Sequence, residues 1–265
     1  MKHSLILWIS ALLLTFLTGY IQSGTSEYYP LTGTIGIDEK KVSYRFEKIY
    51  DDKGDYTFII RTDNPDIKAV VKWKKVYPSK RSVERENEQE WKIIEMRKDK
   101  EALIAHIPKQ NAGEKILYFA EIKKGELKYI IPDKPVTLLF QGYVPPMISF
   151  LSNFALFGGL LLSFRTGLSA LGGFNENQKI KKLTLFTLGF FFVYTIAVTP
   201  LRKSYELNAI NNKVVPITSL FDLQSILLFL IWITAMIVVF KVKNPKPAAM
   251  VFAIITGLVF LFVRI

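Results

Sequence analysis

Two histidines and no cysteine bound the chemistry open to this 265-residue chain. His3 lies at the head of an apolar run, which leaves His106, in Leu103-Ile104-Ala105-His106-Ile107-Pro108, as the other imidazole. It alternates with apolar neighbours, the pattern of a strand residue and not of a ligand. Without Cys and without a second usable His, no zinc-thiolate site, iron–sulfur cluster, haem pair or His/Cys metal cage can be assembled. No serine has a histidine base to activate it other than His106. There is no phosphate-binding loop, nucleophile elbow or zincin helix. The expectation is a protein that is not an enzyme, with no catalytic, cofactor-binding or metal site.

Two charged stretches invite a ligand reading. Glu84–Glu90 (ERENEQE) clusters carboxylates, but Arg85 interrupts them and the order of a calcium loop is missing, so a solvated loop is expected. Lys72–Lys75 (KWKK) interleaves a tryptophan with lysines and would suit anionic lipid headgroups. Its alternation reads equally as an edge strand on which lysine discourages aggregation, and that is the expectation.

The remaining candidates lie in apolar surroundings. Ala155, Gly159, Ser163 and Gly167 recur every fourth residue, a seam of small side chains that lets helix backbones approach closely. Such a seam packs on this chain's own helices or on a partner subunit. Asp222 precedes Leu223-Gln224-Ser225 and an apolar run, and is expected to cap that helix. Arg165 stands at a helix end, from which it can reach out to the interface. Gln224, Ser225 and Tyr194 are the other polar candidates, and no proton relay or ion pathway is legible.

These residues must be positioned by five apolar blocks, Leu5–Ile21, Met147–Phe164, Leu183–Val198, Ile226–Phe240 and Ala248–Val263. With a flanking turn, each approaches the ~20 residues that cross a hydrocarbon core. The reading is an integral membrane protein. Residues 1–23 are a signal peptide or a signal-anchor helix, because a short basic start and an apolar run fit both. Residues 146–265 form an all-α four-helix transmembrane domain, with spans at about 147–165, 183–200, 222–241 and 247–264.

The net charge of +12 suits nucleic acid only if it lies on a soluble face. Residues 25–145 carry 23 Lys/Arg against 20 Asp/Glu, whereas the rest carries 12 against 3. The excess therefore borders the apolar blocks, where it sets orientation, and nucleic acid is excluded as a partner. Arg165, Lys179, Lys181 and Lys182 mark one inside loop; Lys241, Lys243 and Lys246 mark the other. Every segment then alternates, with residues 25–145 outside the cytoplasm. The absence of any Asn-x-Ser/Thr acceptor is compatible with the inner (cytoplasmic) membrane of a bacterium.

Between residues 25 and 145 short alternating runs such as Lys41–Tyr50, Asp55–Thr62 and Ile67–Val76 are separated by turn-forming or charged segments. Gly125 closes a last hairpin. Six to eight strands at this spacing predict an extracytoplasmic β-sandwich. The stretch Ala102–Ile122, a strand ending in Ile-Pro, a small-residue turn and a strand bearing Tyr118, resembles the back half of immunoglobulin- or fibronectin-III-like domains. The resemblance covers about residues 28–140. It implies a cysteine-free immunoglobulin-like β-sandwich with Trp73, Trp91 and Tyr118 in its core, used for adhesion or subunit contact. The junction to the helices holds Pro132, Pro135, Pro145 and Pro146 and is expected to be stiff.

The function expected is that of an accessory or assembly protein, with membrane lipid and a protein of the membrane or envelope as partners. An envelope sensor coupling the β-sandwich to the helices is one alternative. Its output would have to be read from the Asn175–Lys182 loop. A transporter or membrane enzyme for a lipid or hydrophobic small molecule is the other.

Overall fold

The computed structural model describes residues 2–37, 40–76, 90–171, 177–209 and 215–263. It divides into a helical unit, Met1–Ser26 with Val144–Tyr205 and Ala209–Ile265, and a β unit, Glu27–Tyr143 with Glu206–Asn208. The Glu84–Glu90 run lies, apart from Glu90, outside the described residues, as do residues 175 and 176 of the proposed output loop.

The β unit contains β1 (Leu31–Ile37), β2 (Lys40–Phe46), β3 (Ile49–Tyr50), β4 (Tyr56–Thr62), β5 (Lys68–Val76), β6 (Lys92–Glu95), β7 (Arg97–Asp99), β8 (Ala102–Ile107), β9 (Lys115–Lys124) and β10 (Leu127–Phe140). They form two five-stranded sheets, ordered β1-β2-β4-β8-β7 and β3-β10-β9-β5-β6. All pairings are antiparallel except the short β3–β10 contact, which is parallel. Period-two patterning decides which side chains go in. Tyr56, Phe58 and Ile60 of β4 and Ile116, Tyr118, Ala120 and Ile122 of β9 are buried, and both sets belong to one core cluster. Phe46 ties the sheets together, its ring 4.6 Å from Phe58 and 5.2 Å from Tyr118. Burying such rings contributes about 1.5–3 kcal/mol each. The β9–β10 hairpin turns at Gly125, whose φ of +57° favours glycine.

Three expectations change here. Trp73 and Tyr118 are in the core, but Trp91 is not; it lies half-buried, edge-on to Phe119 at 4.8 Å. The Lys72–Lys75 stretch is not on an edge strand, because β5 pairs with β9 along its length and with β6 over Val70–Trp73. Lys74 and Lys75 have β9 alone beside them among the described residues. A local pattern cannot report how many neighbours a strand acquires. Pro132 and Pro135 belong to β10 and not to the junction. The β9–β10 register shifts between Ile131 and Val136, so the two prolines, which lack an N–H, fall where the ladder is interrupted.

The helical unit contains α1 (Lys2–Thr25), α2 (Pro146–Leu168), α3 (Asn177–Glu206), α4 (Leu223–Lys241) and α5 (Lys246–Phe262). Four of them are long and apolar enough to cross a membrane, and α5, at 17 residues, is shorter. The second span expected is extended at both ends, since Lys179, Lys181 and Lys182 lie within α3 and not in a loop. Lysine is a good helix former and does not by itself end a helix. The unit is apolar on its outside, where Phe16, Phe150, Phe186 and Ile254 are exposed. Its interior mixes Phe191, Trp232 and Phe260 with fully buried Ser163, Thr187, Gln224 and Ser225.

Candidate functional site

The small-residue seam is the first feature of α2 to find a neighbour. Ala155, Gly159, Ser163 and Gly167 are all buried. A Cβ on Gly159 would stand 2.8 Å from the Phe191 ring on α3, and one on Gly167 would stand 2.5 Å from the Ala253 Cβ on α5. Gly158, beside the seam, is equally covered by Phe190. The seam is thus filled from both sides by this chain's own helices.

A polar layer crosses the interior where α3 meets α4. Residues Val193–Val198 of α3 form a π-helical turn, in which the Thr199 N–H reaches back to the Tyr194 carbonyl. Pro200 follows at once. It has no N–H, and its ring crowds the carbonyl four residues earlier, so the wider turn relieves the conflict. Inside this turn Thr195 donates its hydroxyl to the Ser225 carbonyl at 2.8 Å. Gln224 donates to the Phe260 and Val263 carbonyls at 3.0 and 2.7 Å, and Asp222 accepts from the Ser225 N–H at 2.6 Å as the N-cap of α4. Those two α5 carbonyls are among the acceptors a helix end leaves unfilled. Thr199 Oγ1, Gln224 Oε1 and Ser163 Oγ are buried without a hydrogen-bond partner among the described residues.

The two ends of the helical unit differ. At one end Gln22 of α1 donates to the same Phe260 carbonyl at 2.9 Å. At the other, the Arg165 guanidinium lies over the Trp8 ring at 5.4 Å, and Lys181 Nζ lies over the Phe240 ring at 5.5 Å. Contrary to the expectation of an outward-reaching arginine, Arg165 is buried, donating to Ser169 Oγ. A cation–π contact and a hydroxyl replace the water it would have sought. Lys179 and Lys182 lie exposed near the start of α3, and Lys241 and Lys243 lie exposed where α4 ends. Lys246, half-buried, opens α5 beside them. The approach of Gly167 to Ala253 and the cluster of Ile180, Val239 and Ala249 gather these cations at the Trp8–Arg165 end, while Arg202 and Lys203 lie at the other end of α3.

In the β unit, His106 is exposed on β8 and faces Thr57 Oγ1 at 3.2 Å. A shallow depression of about 380 Å³ nearby is lined by Ser43, Arg45, Glu47, Thr57 and Arg61 among others. Arg45 is engaged by Glu47 at 2.6 Å. Among the described residues no group of three or more His, Cys, Asp or Glu comes together as a metal site would require.

Sequence reasoning named Asp222, Gln224, Ser225 and Tyr194 but missed Gln22, Thr195 and Thr199. The partners of Gln22 and Thr195 lie far away in sequence, Thr199 has no side-chain partner among the described residues, and the one local signal was Pro200 within an apolar run. No family model, curated protein or solved structure matches this chain.

Proposed function

We propose that this chain is an integral membrane accessory or assembly protein without chemistry of its own, its β unit an immunoglobulin-like β-sandwich held outside the cytoplasm. The observation that carries the reading is the asymmetry of the helical unit. Its surface is apolar, and Arg165, Lys179, Lys181, Lys182, Lys241, Lys243 and Lys246 collect at the end opposite the Gln22–Phe260–Gln224 junction, whereas Arg202 and Lys203 at the far end of α3 are accompanied by Glu206. An excess of cations on one side is what orientation in a membrane requires. On this reading the lysine end faces the cytoplasm of a bacterium and the cell's inner membrane holds the helices. The segment 27–143, inserted between the C-terminal end of α1 and the N-terminal end of α2, is then exported.

We read α1 as a retained anchor. Leu7, Ala11, Thr15 and Thr18 are buried along one face, Gly19 abuts Phe157, and Gln22 bonds the Phe260 carbonyl. Removing residues 1–23 would strip these contacts. The seam on α2 is occupied within the chain, so a partner subunit is met through the outer helix faces or the β unit.

The test is gentle extraction from the native membrane, followed by the mass and composition of the particle. A stoichiometric larger neighbour is expected; a lone monomer or homo-oligomer would overturn the accessory reading. The same mass spectrum reports whether α1 is present. A second reading, transport or turnover of a small molecule within the helices, is favoured by the π turn beside buried Thr199 and Gln224. Flux or turnover by reconstituted protein, lost in Gln224→Leu, would establish it instead.

A further inference from the structure

The outward face of the second sheet is organised in rows across its strands, because residues directly opposite in register share a face. The first row is Lys128–Lys123–Lys68, across β10, β9 and β5. The second is Ile130–Glu121–Val70–Glu95, the third Phe119–Lys72–Ile93. In the fourth, Lys74 pairs with Leu117 and places its ammonium over the Trp91 ring at 5.0 Å. Glu121 is taken up by Lys72 at 2.7 Å and Lys123 at 3.4 Å, so the main carboxylate of the face is already neutralised. Lysines therefore dominate it. Ile93 and Ile130 stand out between them, 60 % and 55 % exposed.

We infer that this face docks on the anionic headgroups of a lipid bilayer. A protein-binding patch concentrates apolar area in a charge-depleted centre. Here apolar and cationic side chains alternate row by row, so that lysine stems and aromatic rings reach the headgroup boundary together while the ammonium groups meet phosphates. The charge complements an anionic surface: Lys68, Lys72, Lys74, Lys123 and Lys128 outnumber the paired Glu121 and the exposed Glu95. The inference rests on the membrane reading above. Residues 141–145 join β10 to α2, so a bilayer holding α2 is presented to the β unit at high effective concentration.

The chain has no cysteine, so a single fluorophore sensitive to polarity can be carried by the full-length protein at Ile93→Cys, with Thr34→Cys on β1 as the control. Both are reconstituted into nanodiscs of phosphatidylcholine alone and of phosphatidylcholine with phosphatidylglycerol. The Ile93 label is expected to report an apolar environment in the anionic discs alone, to return to water at high salt, and to leave the Thr34 label unchanged. Lys68→Gln, Lys74→Gln and Lys128→Gln should each weaken the lipid dependence roughly 5-fold. A label at Ile93 that stays wet in both discs overturns the inference, as does an equal response in both. A response that appears only when an acidic polypeptide is added also overturns it and assigns the face to a protein. Failure of the helices to enter discs is a different result, seen in disc stoichiometry before any label is read, and it removes the membrane reading on which the inference stands.

Discussion

Gln22 and Gln224, 202 positions apart, donate their side-chain amides to one acceptor, the carbonyl of Phe260, at 2.9 and 3.0 Å. The first comes from α1 and the second from α4, so the C-terminal end of α5 is where three helices are locked together. Gln224 also serves the Val263 carbonyl. Its replacement by leucine leaves one acceptor without its donor and another with half its bonds. Gln224→Leu should therefore destabilise the helical unit by about 1–3 kcal/mol, and Gln22→Leu by less. Thermal unfolding in detergent checks the order. In the double variant the losses should exceed their sum, because the Phe260 carbonyl then loses both donors.

Gly167→Ala should cost about 1–3 kcal/mol, since the new methyl group would stand 2.5 Å from the Ala253 Cβ. Ala253→Gly in the same chain should restore part of the loss. An unchanged melting temperature for Gly167→Ala alone would mean that α2 and α5 are not this close.

The hydrogen bond from Lys72 holds the Glu121 carboxyl below the usual carboxylate range, and Lys123 adds to it against the opposing effect of burial. A carboxyl with a depressed folded value stabilises above its unfolded value, near 4.5, and the contribution is lost as pH falls through the folded value. Glu121→Gln should flatten this acid limb of stability against pH. The difference should stay below about 1 kcal/mol, because Lys72 and Lys123 remain 26 % and 44 % exposed. Parallel curves for the two proteins would remove the role given to this pair.

Orientation can be read with the same cysteine-free background. A cysteine at Lys128 should react with a membrane-impermeant maleimide in cells with an intact inner membrane, and one at Lys243 should react only after lysis. The reverse pattern would invert the topology proposed here.

Much of this architecture was legible in the order of residues. Runs of apolar side chains near the length of a bilayer stood out because the helix rise is constant. Alternation in Tyr56–Thr62 and Ile116–Ile122 marked strands because the side-chain period is two. The Asp222 cap and the Gly125 turn were also visible, since each acts over three or four residues. β1 was not legible: Leu31-Thr32-Gly33-Thr34-Ile35-Gly36-Ile37 has two glycines and little contrast between its faces.

By itself, then, the sequence determined what each segment is, because propensity, periodicity and hydropathy are sums over near neighbours. Which segments meet was decided only by the tertiary structure. The neighbours of β5, the burial of Arg165 against Trp8, the occupation of the α2 seam by Phe191 and Ala253, and the shared carbonyl of Phe260 all arise between residues distant in the chain. Their energies depend on distances of a few ångströms across packed elements. No local pattern records such distances, and only close packing sets them.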